Sequence, residues 1–392
     1  MTITIARRAG TRRARRNPTP PAARLAAVGG ALALALAALA TTAVVLPTMI
    51  AGSGHSDLMV FRASAAAWLT GRDPYAPLPL PNLNHPAFLV LAVPLVRLSP
   101  VAAYVTWAAA TVGVYVLTLA LAARVARPDL AAWQGVATAA LAASCPGLLA
   151  SILWGQVGVF LGLGTVAVWL LLRRDRALAA GIVAGILVVL KPYLLPLALV
   201  FLARQRQRGL AGLAVGGVGL SLAALPLVGL DTYVDWIYTL LHVVGAGGPG
   251  SISLAGATAY LMHRVAAPLP AIEAFQVGTT LVMAALVLLA PRRGVPGADR
   301  DVPAALLLAL LGSPLGWAHY TATLVPVGAA LVRRRYRLAR PATALALGAT
   351  ALLWLPGALT FGGLPVDPLQ TLALLALLAA VLWPHVTSRP AT

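Results

Sequence analysis

Acidic side chains are scarce in this sequence. Its 392 residues include ten Asp and Glu against 29 Lys and Arg, so the net charge is +19. Cysteine occurs once, at Cys145, which excludes an intramolecular disulfide and a cysteine metal site. Lysine also occurs once, at Lys191, among many arginines. Charged residues make up only 10% of the chain, too few to cover the surface of a soluble domain of this size.

Apolar residues, by contrast, make up 60% of the chain. Several apolar runs approach about 20 residues, the length that spans a hydrocarbon core of roughly 30 Å. A strongly basic chain can indicate nucleic-acid binding. Here the arginines cluster between the apolar runs, as in the cytoplasmic loops of multi-pass membrane proteins. We therefore expect the lipid bilayer as a partner and no nucleic acid. Abundant Ala and Arg with a single Lys also suggest a GC-rich bacterial genome, and so a bacterial plasma membrane.

The apolar runs divide the chain into a membrane domain and two short tails. Residues 1–24 form a basic tail that predicts a cytoplasmic N-terminus. The run that follows, 25–47, exceeds the roughly 7–15 apolar residues of a signal peptide, so we expect a permanent anchor. The membrane domain then covers 25–384, and 385–392 form a cytoplasmic C-terminal tail. Two long extracytoplasmic loops are expected, at about 48–99 and 229–270.

The first of these loops contains two short apolar segments. Residues 56–70 place apolar side chains at helical spacing, which predicts an interfacial helix: Leu58, Phe61, Ala65, Trp68 and Leu69. Residues 86–98 are apolar but short and contain Pro94, which indicates a half-inserted or interfacial helix. Between them lie the turn 71–75 and a Pro-rich stretch.

Two interrupted apolar stretches, 177–203 and 302–332, decide the topology. As single spans they would place Lys191 and His319 at mid-membrane and leave arginine clusters outside. As hairpins of two short helices they would place every major arginine cluster inside. Each arm would then be only about 20 Å long, so the tips would line a cavity or the membrane would thin. We expect hairpins, which gives an all-α polytopic protein of about 12 transmembrane helices with both termini cytoplasmic.

Five motifs follow one another along the chain in a familiar order. They are Asp57 after the first span, Gly71-Arg72-Asp73-Pro74-Tyr75, Trp154-Gly155-Gln156, Lys191-Pro192, and Ser313-Pro314 with Trp317-Ala318-His319. Across residues 25–335 this order resembles the family-87 glycosyltransferases of the GT-C superfamily. That family includes polyprenol-phosphate-mannose-dependent α-1,2-mannosyltransferases.

The resemblance implies a GT-C-type helical bundle with an extracytoplasmic active site. It implies a polyprenyl-phosphate sugar donor, most simply mannose, and a glycolipid or polysaccharide hydroxyl as acceptor. No cofactor is expected. The chain carries a single Asp in the first outer loop, unlike GT-C enzymes that coordinate a metal through an acidic pair, so no metal ligand is assigned and the metal requirement stays open.

The resemblance also suggests a role for each polar residue of the motifs. Asp57 is the expected general base, with an N-cap of the interfacial helix as the alternative. The other candidates divide into donor-phosphate ligands and sugar or acceptor contacts: Lys191, His319 and Arg62 in the first group, and Gln156, Asp73, Tyr75 and Trp317 in the second.

Two other functions fit parts of the same pattern. Broken helices at Lys191-Pro192 and Ser313-Pro314 would suit the binding site of a transporter or a lipid-linked-sugar flippase. A non-catalytic assembly protein for envelope polysaccharide is the third possibility, and it would tolerate loss of Asp57. The polar candidates gather on one side of the membrane and not at its midplane, which favours the transferase.

Overall fold

The described structure is helical throughout. The computed structural model describes positions 43 and 47 and residues 57–76, 82–124, 144–203, 206–243, 251–289, 297–334, 340–353 and 368–383. Every regular element in these ranges is a helix. The predicted first span at 25–47, apart from those two positions, and both predicted tails lie outside the described residues.

Fifteen α-helices are described, together with two 3-10 helices. The first eight are α1 (Asp57–Leu69), α2 (Ala87–Val96), α3 (Pro100–Arg124), α4 (Ser144–Trp154), α5 (Gly158–Arg173), α6 (Ala177–Leu190), α7 (Ala198–Leu202) and α8 (Gln207–Val228). The others are α9 (Leu230–Val243), α10 (Leu254–Arg264), α11 (Leu269–Leu289), α12 (Gly297–Gly312), α13 (Val325–Arg334), α14 (Arg340–Leu352) and α15 (Pro368–Leu382). The 3-10 helices cover Pro192–Leu197 and Ala318–Leu324.

Three of the described helices, α3, α8 and α11, are long and apolar enough to cross a membrane. Shorter apolar helices accompany them, α5 and α6 included. Helix α12 is buried on nearly all sides and contributes to both apolar clusters of the core. The arrangement agrees with a multi-pass membrane protein, while the figure of about 12 spans stays a prediction.

The two helices predicted in the first outer loop are confirmed. Helix α1 buries Leu58, Phe61 and Ala65, and the Phe61 ring meets the Phe88 ring of α2 edge-on at 4.9 Å between centroids. Pro94 lies inside α2 without ending it. The apolar contact of Phe61 with Phe88 holds α1 and α2 against each other.

The second outer loop is more ordered than the sequence suggested. Within the predicted loop 229–270 the structure has α9 and α10, and Gly229 at φ 82° separates α9 from α8. Apolar residues spaced three or four apart along α9 carry a helical signal that the abundance of aromatic, His and Gly residues obscured. The predicted loop region therefore contains two helices, while its extracytoplasmic position stays a prediction.

The first predicted hairpin is confirmed by the pairing of α6 with α8. A Cβ at Gly212 would overlap the backbone of Leu178, and one at Gly216 would overlap that of Ile182. The contacting residue numbers rise together along both helices, so α6 and α8 run parallel. The segment that joins them must therefore return from the end of α6 to the end of the bundle where α6 begins. Arg206 also lies 3.5 Å from Asp175, beside the start of α6.

The second hairpin is confirmed by an ion network around Asp299. This residue is in the first turn of α12 and contacts Arg173 at the end of α5 and Arg333 near the end of α13. The Trp169 indole Nε1 also donates to Asp299, at 3.0 Å. Helix α12 therefore begins, and helix α13 ends, at the end of the bundle that carries the arginines. Both helix breaks lie towards the opposite end of the bundle.

The glycine pairing predicts opposite effects for two alanine substitutions in α8. In Gly216→Ala the new Cβ meets a backbone oxygen of α6, so the helices must separate, and we expect a loss of about 1–3 kcal/mol. In Gly219→Ala nothing lies within 4 Å of the new Cβ, and alanine's helix propensity should add up to about 1 kcal/mol. Thermal unfolding in detergent measures both. Equal midpoints for the two variants would contradict the close packing.

The ion network predicts a second pair of stabilities. Asp299 is 4% exposed, so Asp299→Asn leaves arginines without their counter-charge and should cost about 3 kcal/mol. Asp175 is 90% exposed, so Asp175→Asn should cost at most about 1 kcal/mol. Unfolding midpoints in detergent compare them. A stable Asp299→Asn protein would show that the network does not hold α5, α12 and α13 together.

Candidate functional site

The turn between α4 and α5 brings Gln156 to the start of α1. Gly155 has φ 68°, a left-handed conformation that glycine adopts without steric cost, and a Cβ there would lie 2.5 Å from the Cβ of Leu58. Both the backbone angle and the space therefore require glycine at this position. The consequence is direct contact between the Trp154-Gly155-Gln156 motif and the residue next to Asp57.

Asp57 is the first residue of α1 and is half-buried. Its carboxylate accepts a hydrogen bond from the side-chain amide of Gln156 and interacts electrostatically with the positive charge of Lys191. Burial raises the pKa of Asp57 above its ordinary value, and the Gln156 hydrogen bond and the Lys191 charge oppose that rise. The carboxylate is thus a stronger base than an ordinary aspartate, and it is held in a fixed orientation.

Lys191 lies at the break between α6 and the first 3-10 helix. Its backbone is extended, at φ −144° and ψ 97°, because Pro192 disfavours a helical conformation in the residue before it. The side chain is only 7% exposed and interacts electrostatically with both Asp57 and His319. A buried cation is expensive unless it is compensated, and Asp57 supplies part of the compensation.

His319 lies in the second 3-10 helix and is 5% exposed. Its backbone carbonyl packs against Gly158 at the start of α5, where a Cβ would overlap it. The buried polar atoms at this site that have no protein partner include Nε2 of His319 and Oε1 of Gln156. Buried polar groups are nearly always hydrogen-bonded, so the two atoms indicate where a ligand or water binds.

Tyr193 and Tyr320 join the two helix breaks, and the sequence analysis missed them. Their rings stack with centroids 4.1 Å apart and an interplanar angle of 16°. The His319 ring meets Tyr320 edge-on at 4.5 Å, and Tyr320 also interacts electrostatically with Asp57. Each tyrosine follows a motif residue closely, Lys191-Pro192-Tyr193 and His319-Tyr320, and this adjacency was the available signal.

A cavity of about 650 Å³ opens beside these residues. Lys191, Tyr193 and Tyr320 line one part of it, and apolar side chains such as Leu281 and Leu308 line most of the rest. Lys191 is the one charged residue among those that line it. An apolar cavity with a single cation in its wall suits a ligand that has an apolar body and an anionic group.

The other predicted site residues make contacts within the protein. Arg62 donates to the carbonyl oxygens of Leu95 and Leu98 at the C-terminal end of α2. An oxygen of Asp73 accepts the backbone N–H of Tyr75 at 2.7 Å, as in an Asx turn. The Tyr75 hydroxyl donates to the Asn84 carbonyl at 2.7 Å. Trp317 is half-buried just before the second 3-10 helix. Their predicted roles in binding phosphate, sugar or acceptor stay predictions.

The described residues contain no group of three or more His, Cys, Asp or Glu side chains placed to hold a metal ion. What they bring together is a carboxylate, an amide, an ammonium and an imidazole beside an apolar cavity. A fixed carboxylate can take a proton from a hydroxyl, and a buried ammonium can stabilise the charge of a leaving phosphate.

The comparisons with known proteins agree with this chemistry. The family Glycosyltransferase family 87 matches residues 82–315, which is more than half of the chain. The match contains Gln156 and Lys191, while Asp57 and His319 lie outside it. Comparisons with curated proteins and with solved structures gave no match. The chain belongs to glycosyltransferase family 87 and is a membrane glycosyltransferase.

Proposed function

We propose that this enzyme moves a sugar, most simply mannose, from a polyprenyl-phosphate donor to a hydroxyl of a glycolipid or polysaccharide acceptor. The observation that carries the proposal is the electrostatic interaction of Asp57 with Lys191, which lines an apolar cavity. A polyprenyl chain needs an apolar cavity, its phosphate needs a cation, and the acceptor hydroxyl needs a base. The choice of mannose rests on the resemblance to the mannosyltransferases of the family.

In the proposed reaction the acceptor oxygen attacks the anomeric carbon of the donor sugar. The bond from that carbon to the phosphate oxygen breaks, and polyprenyl phosphate leaves with the bonding electron pair. Asp57 takes the hydroxyl proton, and Lys191 offsets the negative charge that grows on the phosphate. Attack opposite the leaving phosphate inverts the configuration of the anomeric carbon. A carboxylate with a raised pKa retains the proton better than an ordinary aspartate.

The same proposal places the site on the extracytoplasmic face of a bacterial plasma membrane. Arg173, Arg206 and Arg333 lie at the opposite end of the bundle from Lys191, and arginine-rich ends are typical of the cytoplasmic side. Both termini would then be cytoplasmic, as the sequence predicts. No cofactor is assigned.

A transporter or flippase of lipid-linked sugars is the second candidate function. The helix breaks at Lys191 and before His319 favour it, because transporters often bind substrates at such breaks. It would move the lipid between leaflets without breaking the bond from sugar to phosphate. Family membership and the carboxylate base favour the transferase.

Replacing the proposed base is the first test. Asp57→Asn keeps the size of the side chain and an oxygen that can accept from Gln156, but it cannot take a proton as a carboxylate does. We expect transfer to fall at least about 100-fold, the usual contribution of a general base. The measurement is transfer from radiolabelled polyprenyl-phosphate mannose in reconstituted membranes.

The matched control is Asp231→Asn, which removes an exposed carboxylate at the same end of the bundle. It should retain wild-type activity. Equal activity of Asp57→Asn and wild type would reject Asp57 as the base. If wild type transfers no mannose, polyprenyl phosphates carrying other sugars are tried in turn. Movement of the labelled lipid between leaflets without transfer would support the flippase.

The pH profile tests the contact between Gln156 and Asp57. Only the carboxylate form of Asp57 is a base, so activity should rise with pH through its raised pKa. The Gln156 hydrogen bond favours the carboxylate, so Gln156→Leu should raise the pKa further and move the acidic limb to higher pH. Activity should then recover partly at high pH. A higher donor KM with an unmoved profile would show instead that Gln156 binds sugar.

A further inference from the structure

Helix α9 begins where the membrane-spanning helix α8 ends. Helix α8 has 22 residues, about 33 Å at 1.5 Å per residue, which uses the full thickness of the hydrocarbon core. Gly229, with φ 82°, turns the chain between them. Because α8 runs parallel to α6, which ends at Lys191, α9 starts at the same end of the bundle as the site. The helix therefore begins at the membrane surface on that side.

One face of α9 is apolar and exposed. Leu230, Val234, Ile237 and Leu241 are 67%, 58%, 50% and 67% exposed. Their spacing of four, three and four residues aligns them in a single stripe along the helix. An apolar stripe of this size is unfavourable in water.

A second edge of α9 is acidic. Asp231 and Asp235 follow the apolar stripe around the helix, and Asp235 interacts electrostatically with Asp231 and with Asp73 of the first outer loop. Burial and these neighbouring charges raise the pKa of Asp235. Carboxylates are costly inside hydrocarbon, so this acidic edge keeps α9, a helix of 14 residues, from crossing the membrane.

The third face of α9 is held by the protein. The Tyr233 hydroxyl donates to the Ser221 carbonyl at 2.7 Å, and the Trp236 indole donates to the Leu83 carbonyl at 3.4 Å. The rings of both residues meet the His85 ring edge-on, at 5.2 and 4.8 Å. These contacts fix the rotation of α9 about its own axis, so the directions of the other two faces are determined.

The protein-held face also belongs to the cavity. Leu240 of α9 and Leu83, which accepts the bond from Trp236, both line it. Leu281 of α11 lines the cavity as well. Helix α9 therefore stands between the cavity beside Lys191 and the surroundings of the protein that the apolar stripe faces.

We propose that α9 is an interfacial helix, with its apolar stripe in the lipid of the leaflet on the Asp57 side and its acidic edge towards water. The partner of the stripe is the phospholipid bilayer, since the membrane-spanning α8 also exposes apolar side chains up to the turn that leads into α9, at Val218, Leu222 and Leu227. Immersion of one face with a polar edge above it is the usual position of such helices. In this position α9 forms the lipid-side wall of the cavity.

Depth-dependent fluorescence quenching tests the proposal. Cys145 is buried and is replaced by serine, and single cysteines at Val234 and Leu241 are labelled with bimane. Asp235→Cys reports the acidic edge, and Val218→Cys, midway along α8, is the deep control. The proteins are reconstituted in phosphatidylcholine vesicles, and three quenchers are compared. Two are lipids that carry a nitroxide, one near the headgroup and one near the chain end. The third is iodide, which is added to the water.

At positions 234 and 241 we expect quenching by the headgroup-proximal nitroxide to be roughly twofold stronger than by the chain-end nitroxide. Position 218 should show the reverse order, and iodide should quench position 235 most strongly. Strong iodide quenching at 234 and 241 would place the stripe in water and overturn the proposal. So would stronger quenching by the chain-end nitroxide, which would place α9 deep in the hydrocarbon.

Protection from all three quenchers at 234 and 241 would also overturn the proposal. It would show that protein covers the stripe, either a second copy of the chain or the apolar segment 25–47. Crosslinking from the same cysteines separates these two, because only the first yields a covalent dimer. The outcome does not depend on the sugar donor, so a failed transferase assay leaves this test intact.

Discussion

The backbone contact between α6 and α8 is the constraint on which the site depends. Gly212 and Gly216 let α8 approach α6 so closely that no side chain fits between them. Because α6 and α8 run parallel, the segment that joins the end of α6 to the start of α8 must turn back along the bundle. The turn at the end of α6 is where Lys191 and Pro192 lie, so the glycine contact places the only lysine of the chain at the site end. In a bilayer, where apolar association gains little, such close van der Waals contact is a main source of helix pairing.

The opposite end of the bundle is held by charge. Asp299 satisfies the Trp169 indole and interacts with two arginines from helices that are distant in sequence. Because α12 is buried on nearly all sides, this network positions the helix that leads to the second break. The stacked rings of Tyr193 and Tyr320 then join the two helix breaks and complete the site. The rigid helices thus hold a chemical centre made from Asp57 at the start of α1 and from residues in non-helical or 3-10 backbone.

At that centre the polar groups affect one another's charge state and orientation. Burial disfavours both the carboxylate of Asp57 and the ammonium of Lys191, and their mutual attraction offsets part of that cost. Gln156 orients the carboxylate, and its own Oε1 has no protein partner, as is also true of Nε2 of His319. Groups that are held in place before a substrate arrives need little reorganisation during reaction, and such preorganisation is a major contribution to catalysis.

Hydropathy and the arginine clusters were enough to predict the helical class and both hairpins, because these are local signals that the bilayer makes decisive. The order of the motifs also identified Asp57, Gln156, Lys191 and His319 as candidates. The packing of the helices was needed to show that Gln156 donates to Asp57, that Tyr193 stacks on Tyr320, and that Arg62 donates to the carbonyl oxygens at the end of α2. These are contacts between side chains far apart along the chain, and their geometry depends on how helices pack, which periodicity and composition do not specify.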